Sequence, residues 1–168
     1  FLLDNRHFWI RSKKMQTILR VRANLMEEAR RWLTEHGYLE VQVPTLVSAA
    51  VEGGSTLFEV NYFDQKAYLT QSWQLYAEAV IASLGKIYTF APSFRAEKSR
   101  TRRHLTEYWH LELEEPWLDL DGLIEVEEQL VLHISHQVAT RAAEELKDLG
   151  RNPDELTRLA APFPRITY

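Results

Sequence analysis

A chain of 168 residues, 45% hydrophobic and 26% charged, is long enough for one domain with a real core and too apolar for disorder. Its formal net charge of -4 excludes a generic polyanion binder, so any affinity for phosphates must be local. The absence of cysteine excludes disulfides and thiolate zinc sites and fits a reducing, cytoplasmic setting; no apolar run is long enough to span a bilayer, so no membrane partner is expected.

Residues 13–36 read as a helix, with Ile18, Val21, Arg22, Leu25, Ala29, Trp32 and Leu33 at three- and four-residue spacing, Ser12 as cap and Gly37 as stop. "YLEVQVPTL" alternates like a strand and meets Pro44, which suits an edge or an end. "TLFEVNYF" and "KAYLTQS" flank a polar turn around Asp64-Gln65 and predict a hairpin. A short helix over 73–84 ends at Gly85, and "KIYTFAPSFRAE" and "HLTEYWHLELE" predict two antiparallel strands joined by a charged loop. One long helix is expected from about Asp121 to Leu149, with Leu123, Val126, Leu130, Ile134 and Val138 on one face and Gly150 as its stop. The chain starts at Phe1 and closes on "FPRITY", which reads as the beginning of a strand and suggests a piece of a longer protein. Helix, several hairpin-linked strands, then helix argues for an α+β domain, an antiparallel sheet backed by helices. There is no Gly-rich phosphate loop and no internal repeat.

The positive charge is concentrated. Arg95, Lys98, Arg100, Arg102 and Arg103 fall within nine residues, and an aromatic, acidic strand follows. Period two places His104, Thr106, Tyr108, His110, Glu112 and Glu114 on one face of that strand. Leu105, Glu107, Trp109, Leu111 and Leu113 lie on the other, expected to be mostly core. Cations, an aromatic ring and carboxylates together could take a triphosphate, a purine and a metal or amine. Stacking on the ring would contribute roughly 1–3 kcal/mol. A solvated hairpin with a basic tip is the other reading of the same composition.

The wording of the stretch favours the first. "FRAE" followed by His104, Tyr108 and Glu112 resembles motif 2 of the class II aminoacyl-tRNA synthetases, at about 94–114. "HGYLEVQVPTL" resembles their motif 1, about 25–46, which in the family builds a homodimer interface. "FLLDNRHFWIRS", "VEGGSTLFEV", "AYLTQS" with "QLY", and "RTRRHLTEYW" are similar to the aspartyl/asparaginyl branch, so the resemblance covers essentially all 168 residues. It implies the first part of a class II synthetase catalytic domain, with ATP and magnesium, a homodimer, and the tRNA acceptor end as partner. The anticodon-binding domain and motif 3 are not in the sequence, so this piece alone is expected to be inactive.

Residue by residue, the resemblance implies that Arg95 holds the α-phosphate and is the catalytic residue. Glu97 would meet the adenine amino group, Arg103 or His104 the outer phosphates, and Tyr108 would stack on adenine where relatives have phenylalanine. Glu112 would lie near magnesium, and Lys98, Arg100 and Arg102 would meet the tRNA acceptor end. Glu52, on a loop with Gly53 and Gly54, resembles the acid that binds the substrate ammonium; Ser72 and Gln74 match amino-acid-binding positions. Where the aspartyl enzymes carry a lysine that pairs the substrate carboxylate, this chain has Ala77 followed by Glu78. Glu78 would accept from an amide and repel a carboxylate. At ~4 Å and an effective dielectric of ~20 that repulsion is about 4 kcal/mol, roughly a thousandfold. Asparagine is therefore the expected substrate, with ATP-dependent activation and transfer to tRNA as the function. Alternatives are an aspartate-activating asparagine synthetase or aspartyl paralogue, and a non-catalytic nucleotide-binding paralogue.

Two positions depart from the pattern: Trp73 stands where relatives carry glycine or proline, and Ala91 replaces a glycine before Pro92. The indole could crowd the substrate pocket or turn into core. His7, His36, His133 and His136 have no carboxylate partners at metal-ligand spacing, so no zinc site is expected.

Overall fold

In the computed structural model the described residues are 1–2, 4–48, 57–98, 101 and 104–166. The elements in chain order begin with α1 (Arg6–Ile10), α2 (Lys13–Glu35), β1 (Leu39–Glu40), β2 (Leu46–Val47), β3 (Glu59–Tyr62) and β4 (Gln65–Leu69). They continue with α3 (Gln74–Leu84), β5 (Ile87–Phe94), β6 (Glu107–Glu114), α4 (Leu120–Arg141), α5 (Ala143–Asp148) and α6 (Pro153–Thr157). They divide into a helical unit, residues 1–36 with 118–168, and a sheet unit, residues 37–117. The α+β class holds.

In the helical unit, Ser12 caps α2 as expected, accepting from the Met15 N–H at 3.3 Å. Ala29, Trp32 and Leu33 are buried on α2, but Leu25 and Arg22 of the expected stripe are exposed. Polar Thr17 and Glu28 are buried in their place. Glu28 is tolerable there because α4 supplies Arg141, in contact with one of its oxygens, and His133 at 3.3 Å from the other. The expected continuous helix over 121–149 is two helices. It starts earlier, at the Asp119 cap that accepts from Gly122 N–H at 2.9 Å, and breaks at Ala142, whose φ is -119° and ψ 31°. Ala142 is fully buried with Val138 and Leu146, so packing rather than a glycine or proline sets the break. Residues 163–166, expected to begin a strand, form no regular element.

The sheet unit holds two three-stranded sheets instead of one. β1 pairs parallel with β5, and β5 pairs antiparallel with β6; the second sheet has the antiparallel order β2-β4-β3. The segment around Pro44 explains the division. Leu39 and Val41 N–H groups donate to Lys86 and Tyr88 carbonyls at 3.0 and 2.8 Å. The chain then leaves that sheet through Pro44, which has no N–H to give, and joins β4 at Leu46. The β3–β4 hairpin turns at Phe63-Asp64, with Phe63 in the left-handed region at φ 53°. β5 and β6 align Thr89 with Glu112, Ala91 with His110 and Ser93 with Tyr108, as the hairpin reading expects.

α3 packs on the face of this sheet that carries the polar residues. Ile87, which shares that face with Thr89, Ser93 and Glu112, clusters with Trp73 and Ala77 of the α3 start. The expectation of an apolar β6 face that is mostly core is therefore not met: Leu105 is 62% and Trp109 48% exposed, while Tyr108, His110 and Glu112 are half-buried.

Candidate functional site

The site is built on one face of β6 and the turn that starts α3. Glu112 is its centre. One carboxylate oxygen accepts the Ser72 hydroxyl in a close contact; the other lies 3.4 Å from the Trp73 N–H and 3.3 Å from His110 Nδ1. Ser72 Oγ in turn accepts the Gln74 N–H at 3.2 Å, so this side chain closes the turn that opens α3. Thr70 donates to the Ser72 carbonyl at 2.7 Å, fixing the same turn from the β4 side. The residues expected to hold the amino acid and those expected to hold ATP are thereby joined through Ser72 and Glu112.

Other expected residues take less central places. Gln74 and Glu78 are exposed on α3, one turn apart. Arg95, Glu97 and Lys98 are exposed beyond the end of β5, and the Arg95 N–H donates to the Thr106 carbonyl at 2.9 Å, extending the ladder one step. Exposed cations at the end of a strand, Arg95 and Lys98, are chemically suited to an incoming polyanion, while the Glu97 carboxylate suits an N–H donor. His104 lies outside β6, contrary to the period-two reading, with its Nδ1 against Thr101 Oγ1. The Tyr108 ring is half-buried and tilted on His110, 5.3 Å between centroids. Glu52, Gly53, Gly54, Arg100, Arg102 and Arg103 lie outside the described residues.

Negative charge is concentrated at the α3 end of the face. Partial burial raises the Glu114 pKa, and the charges of Glu78 and Glu112 raise it further. A metal would oppose that shift. Among the described residues, however, no group of three or more His, Asp or Glu side chains could hold one. Both Glu112 oxygens accept hydrogen bonds from the turn that starts α3.

Trp73 is resolved in favour of packing. It is 3% exposed, clustered with Ala77 and Ile87 and flanked by Val41, Val43, Val80 and Ile81. Its indole N–H has no hydrogen-bond partner among the described residues. The ring also lines a cavity of about 400 Å³ with Val43, Pro44, Leu46, Gln71 and Ser72.

The family model for class II tRNA synthetases (D, K and N) matches residues 1–168. The chain belongs to that family. It is 50% identical over 168 residues to the asparagine–tRNA ligase of Thermoplasma acidophilum, covering 100% of this chain and 39% of that protein. Among solved structures, asparaginyl-tRNA synthetase from Pyrococcus horikoshii complexed with asparaginyl-adenylate has a TM-score of 0.94 and 50% identity, covering 99% of this chain and 38% of that one. The Entamoeba histolytica asparaginyl-tRNA synthetase has a TM-score of 0.89 and 40% identity, covering 99% and 37%. This class II chain thus spans about two-fifths of the length of the curated relatives it matches.

Two residues of this class II chain that the sequence reading left without a role stand in the network. His110 was placed on the polar face by periodicity alone, and Ser93 was simply part of a strand. Both are found through the register: Ser93 opposes Tyr108, two pairs along from Ala91–His110 and so on the same face, and is 2% exposed. No local signal in the sequence links the two, which are 17 positions apart.

Proposed function

We propose that this chain is part of an asparagine–tRNA ligase, which activates asparagine with ATP and transfers it to tRNA. The observation that carries this reading is the acidic character of the α3 face. Ala77, at the position where the aspartyl branch has a lysine, is fully buried, and Glu78 is exposed on the next position with Glu112 and Glu114 near it. An aspartate side chain would enter the field of three carboxylates with no lysine to offset it. A neutral amide can donate to them. The high identity to asparagine–tRNA ligases supports the same choice.

In the first step the asparagine carboxylate oxygen attacks the α-phosphorus of ATP and pyrophosphate leaves. Arg95 neutralises charge building on the α-phosphate oxygens, where fixed cations are most effective. Glu97 meets the adenine amino group, Tyr108 stacks on the ring, and Arg103 or His104 takes the outer phosphates. Glu52 holds the substrate ammonium, Gln74 and Ser72 the amino acid, and Glu78 its amide. Magnesium bound to the triphosphate would lie near Glu112 and would offset phosphate charge there. In the second step a ribose hydroxyl of the tRNA end attacks the adenylate carbonyl and AMP leaves, with Lys98, Arg100 and Arg102 on the acceptor strand. Association into a homodimer through residues 25–46 and a cytoplasmic location belong to the same reading. Among the described residues no helix is long and apolar enough to cross a membrane.

The test is ATP–pyrophosphate exchange by the complete open reading frame, with asparagine and aspartate supplied separately. Exchange with asparagine alone is expected. Exchange with aspartate alone would move the proposal to an asparagine synthetase-like or aspartyl paralogue, and silence with both amino acids, in folded protein, to a non-catalytic one.

A further inference from the structure

Thr70 stands where three segments of the sheet unit meet, and the reading above gives it no role. Its N–H donates to the Thr45 carbonyl at 3.0 Å, one step past the Leu46–Leu69 pair of β2 and β4. Its carbonyl accepts the Phe94 N–H at 2.9 Å, which ties the second sheet to the end of β5, one residue before Arg95. Its hydroxyl donates to the Ser72 carbonyl at 2.7 Å. The residue is 5% exposed, so that hydroxyl has to be satisfied inside the protein.

The plainer reading is a threonine that closes a turn, because serine and threonine hydroxyls often bond a backbone group two residues on. The main-chain bonds argue for more. They run in two other directions, to the segment after Pro44 and to the strand that leads into Arg95, so the turn is fixed relative to both. Beyond the Ser72 carbonyl lies the amino-acid end. There the Trp73 N–H is 3.4 Å from Glu112 Oε2, and the Gln74 N–H donates to Ser72 Oγ at 3.2 Å. The two kinds of bond respond differently to substitution. Any residue but proline keeps the main-chain pair, whereas the bond to Ser72 depends on the hydroxyl.

We propose that Thr70 is a positioning residue: its main chain joins the strand before Arg95 to the second sheet, and its hydroxyl sets the Ser72–Gln74 turn against that junction. The proposal rests on the functional reading above for what the turn holds, asparagine, and for what Arg95 meets, the α-phosphate. Loss of the hydroxyl releases the turn, while the bonds to Thr45 and Phe94 stay. Asparagine binding therefore weakens and ATP binding does not.

Two variants of the complete open reading frame separate this from simple packing. Thr70→Val keeps the branched shape and removes the donor; Thr70→Ser keeps the donor and removes a methyl group. Packing and hydrogen bonding thus predict opposite orders of damage. In ATP–pyrophosphate exchange, Thr70→Val is expected to raise KM for asparagine about fivefold, the size of one neutral hydrogen bond, with KM for ATP and kcat little changed. Thr70→Ser should recover most of that loss. A Ser variant as impaired as the Val variant, an unchanged Val variant, or equal rises in both KM values would overturn the proposal. Should the unmodified protein prove silent with asparagine, the functional reading fails, and hydrogen–deuterium exchange in the same variants still decides the tie. Peptides over 71–77 should exchange about fivefold faster in Thr70→Val than in Thr70→Ser, with those over 89–94 alike. Equal exchange over 71–77, or loosening of both stretches, would overturn the proposal.

Discussion

Trp73 offers the most direct check on how the α3 turn is built. The indole is 3% exposed and packs with Ala77, Ile87 and four partly buried aliphatic residues. Its φ of -94° and ψ of 1° are ordinary, so no conformational demand calls for glycine here. Truncation to alanine removes a large buried ring from the centre of a small cluster. The cost is expected to be about 3–5 kcal/mol, a large share of the roughly 5–15 kcal/mol that holds a domain together. At an m-value of about 2 kcal/mol per molar, the urea midpoint would fall by roughly 1.5–2.5 M. Trp73→Phe should behave differently. It loses part of the ring, worth about 1–2 kcal/mol, but also removes a buried N–H without a described partner, whose burial costs about 1–3 kcal/mol. The two offset, and the variant should lie within about 1 kcal/mol of the parent. Urea unfolding followed by far-ultraviolet circular dichroism measures both. A midpoint unchanged in Trp73→Ala would refute the packing role. A Phe variant as unstable as the Ala variant would show that the indole N–H is satisfied after all.

Three further outcomes are expected. Arg95→Ala in the complete protein should nearly abolish asparaginyl-adenylate formation, measured by pyrophosphate exchange; retained activity would remove Arg95 from the α-phosphate. Glu78→Lys should shift preference from asparagine towards aspartate by up to about a thousandfold; an unchanged ratio of kcat/KM would place Glu78 outside the pocket. Glu115 is partly buried, which raises its pKa, but hydrogen bonds from Lys86 and Tyr38 and the Lys86 charge outweigh that and hold it below the usual carboxylate range. A lowered folded-state value gives stability that is complete above the ordinary carboxylate pKa and is lost as pH falls through the lowered one. Glu115→Gln should flatten the acid limb of a stability–pH curve; an identical limb would show that the contact contributes nothing.

Much of the sheet unit was legible because its signals are local. The β5–β6 pairing followed from two alternating runs, and the α2 start from one serine. What escaped was decided between elements. Alternation told which residues of β6 share a face but not which face α3 would cover, so Trp109 was assigned to core and is half-exposed. Ala142 carries no breaking signal in its side chain, and its departure from helix is fixed by burial against Val138 and Leu146. Glu28 carries no signal of burial in the sequence, because Arg141, more than a hundred positions away, is invisible to periodicity. At the site, motif wording singled out Ser72 and Glu112, which the structure joins, while the Ser93–His110 contact needed the register.

Charge is distributed unevenly over the site. Glu78, Glu112 and Glu114 gather at one end, and burial, with the charges of Glu78 and Glu112 adding to it, raises the Glu114 pKa. An apolar or anionic ligand would leave that repulsion in place. A substrate carrying an ammonium and an amide supplies N–H donors to carboxylates that otherwise repel one another, so part of the unfavourable field in the free protein becomes binding energy in the complex. At the other end Arg95 and Lys98 stand exposed beyond β5, where anionic phosphates can meet them. The proposed reaction joins a carboxylate to a phosphate between these two fields.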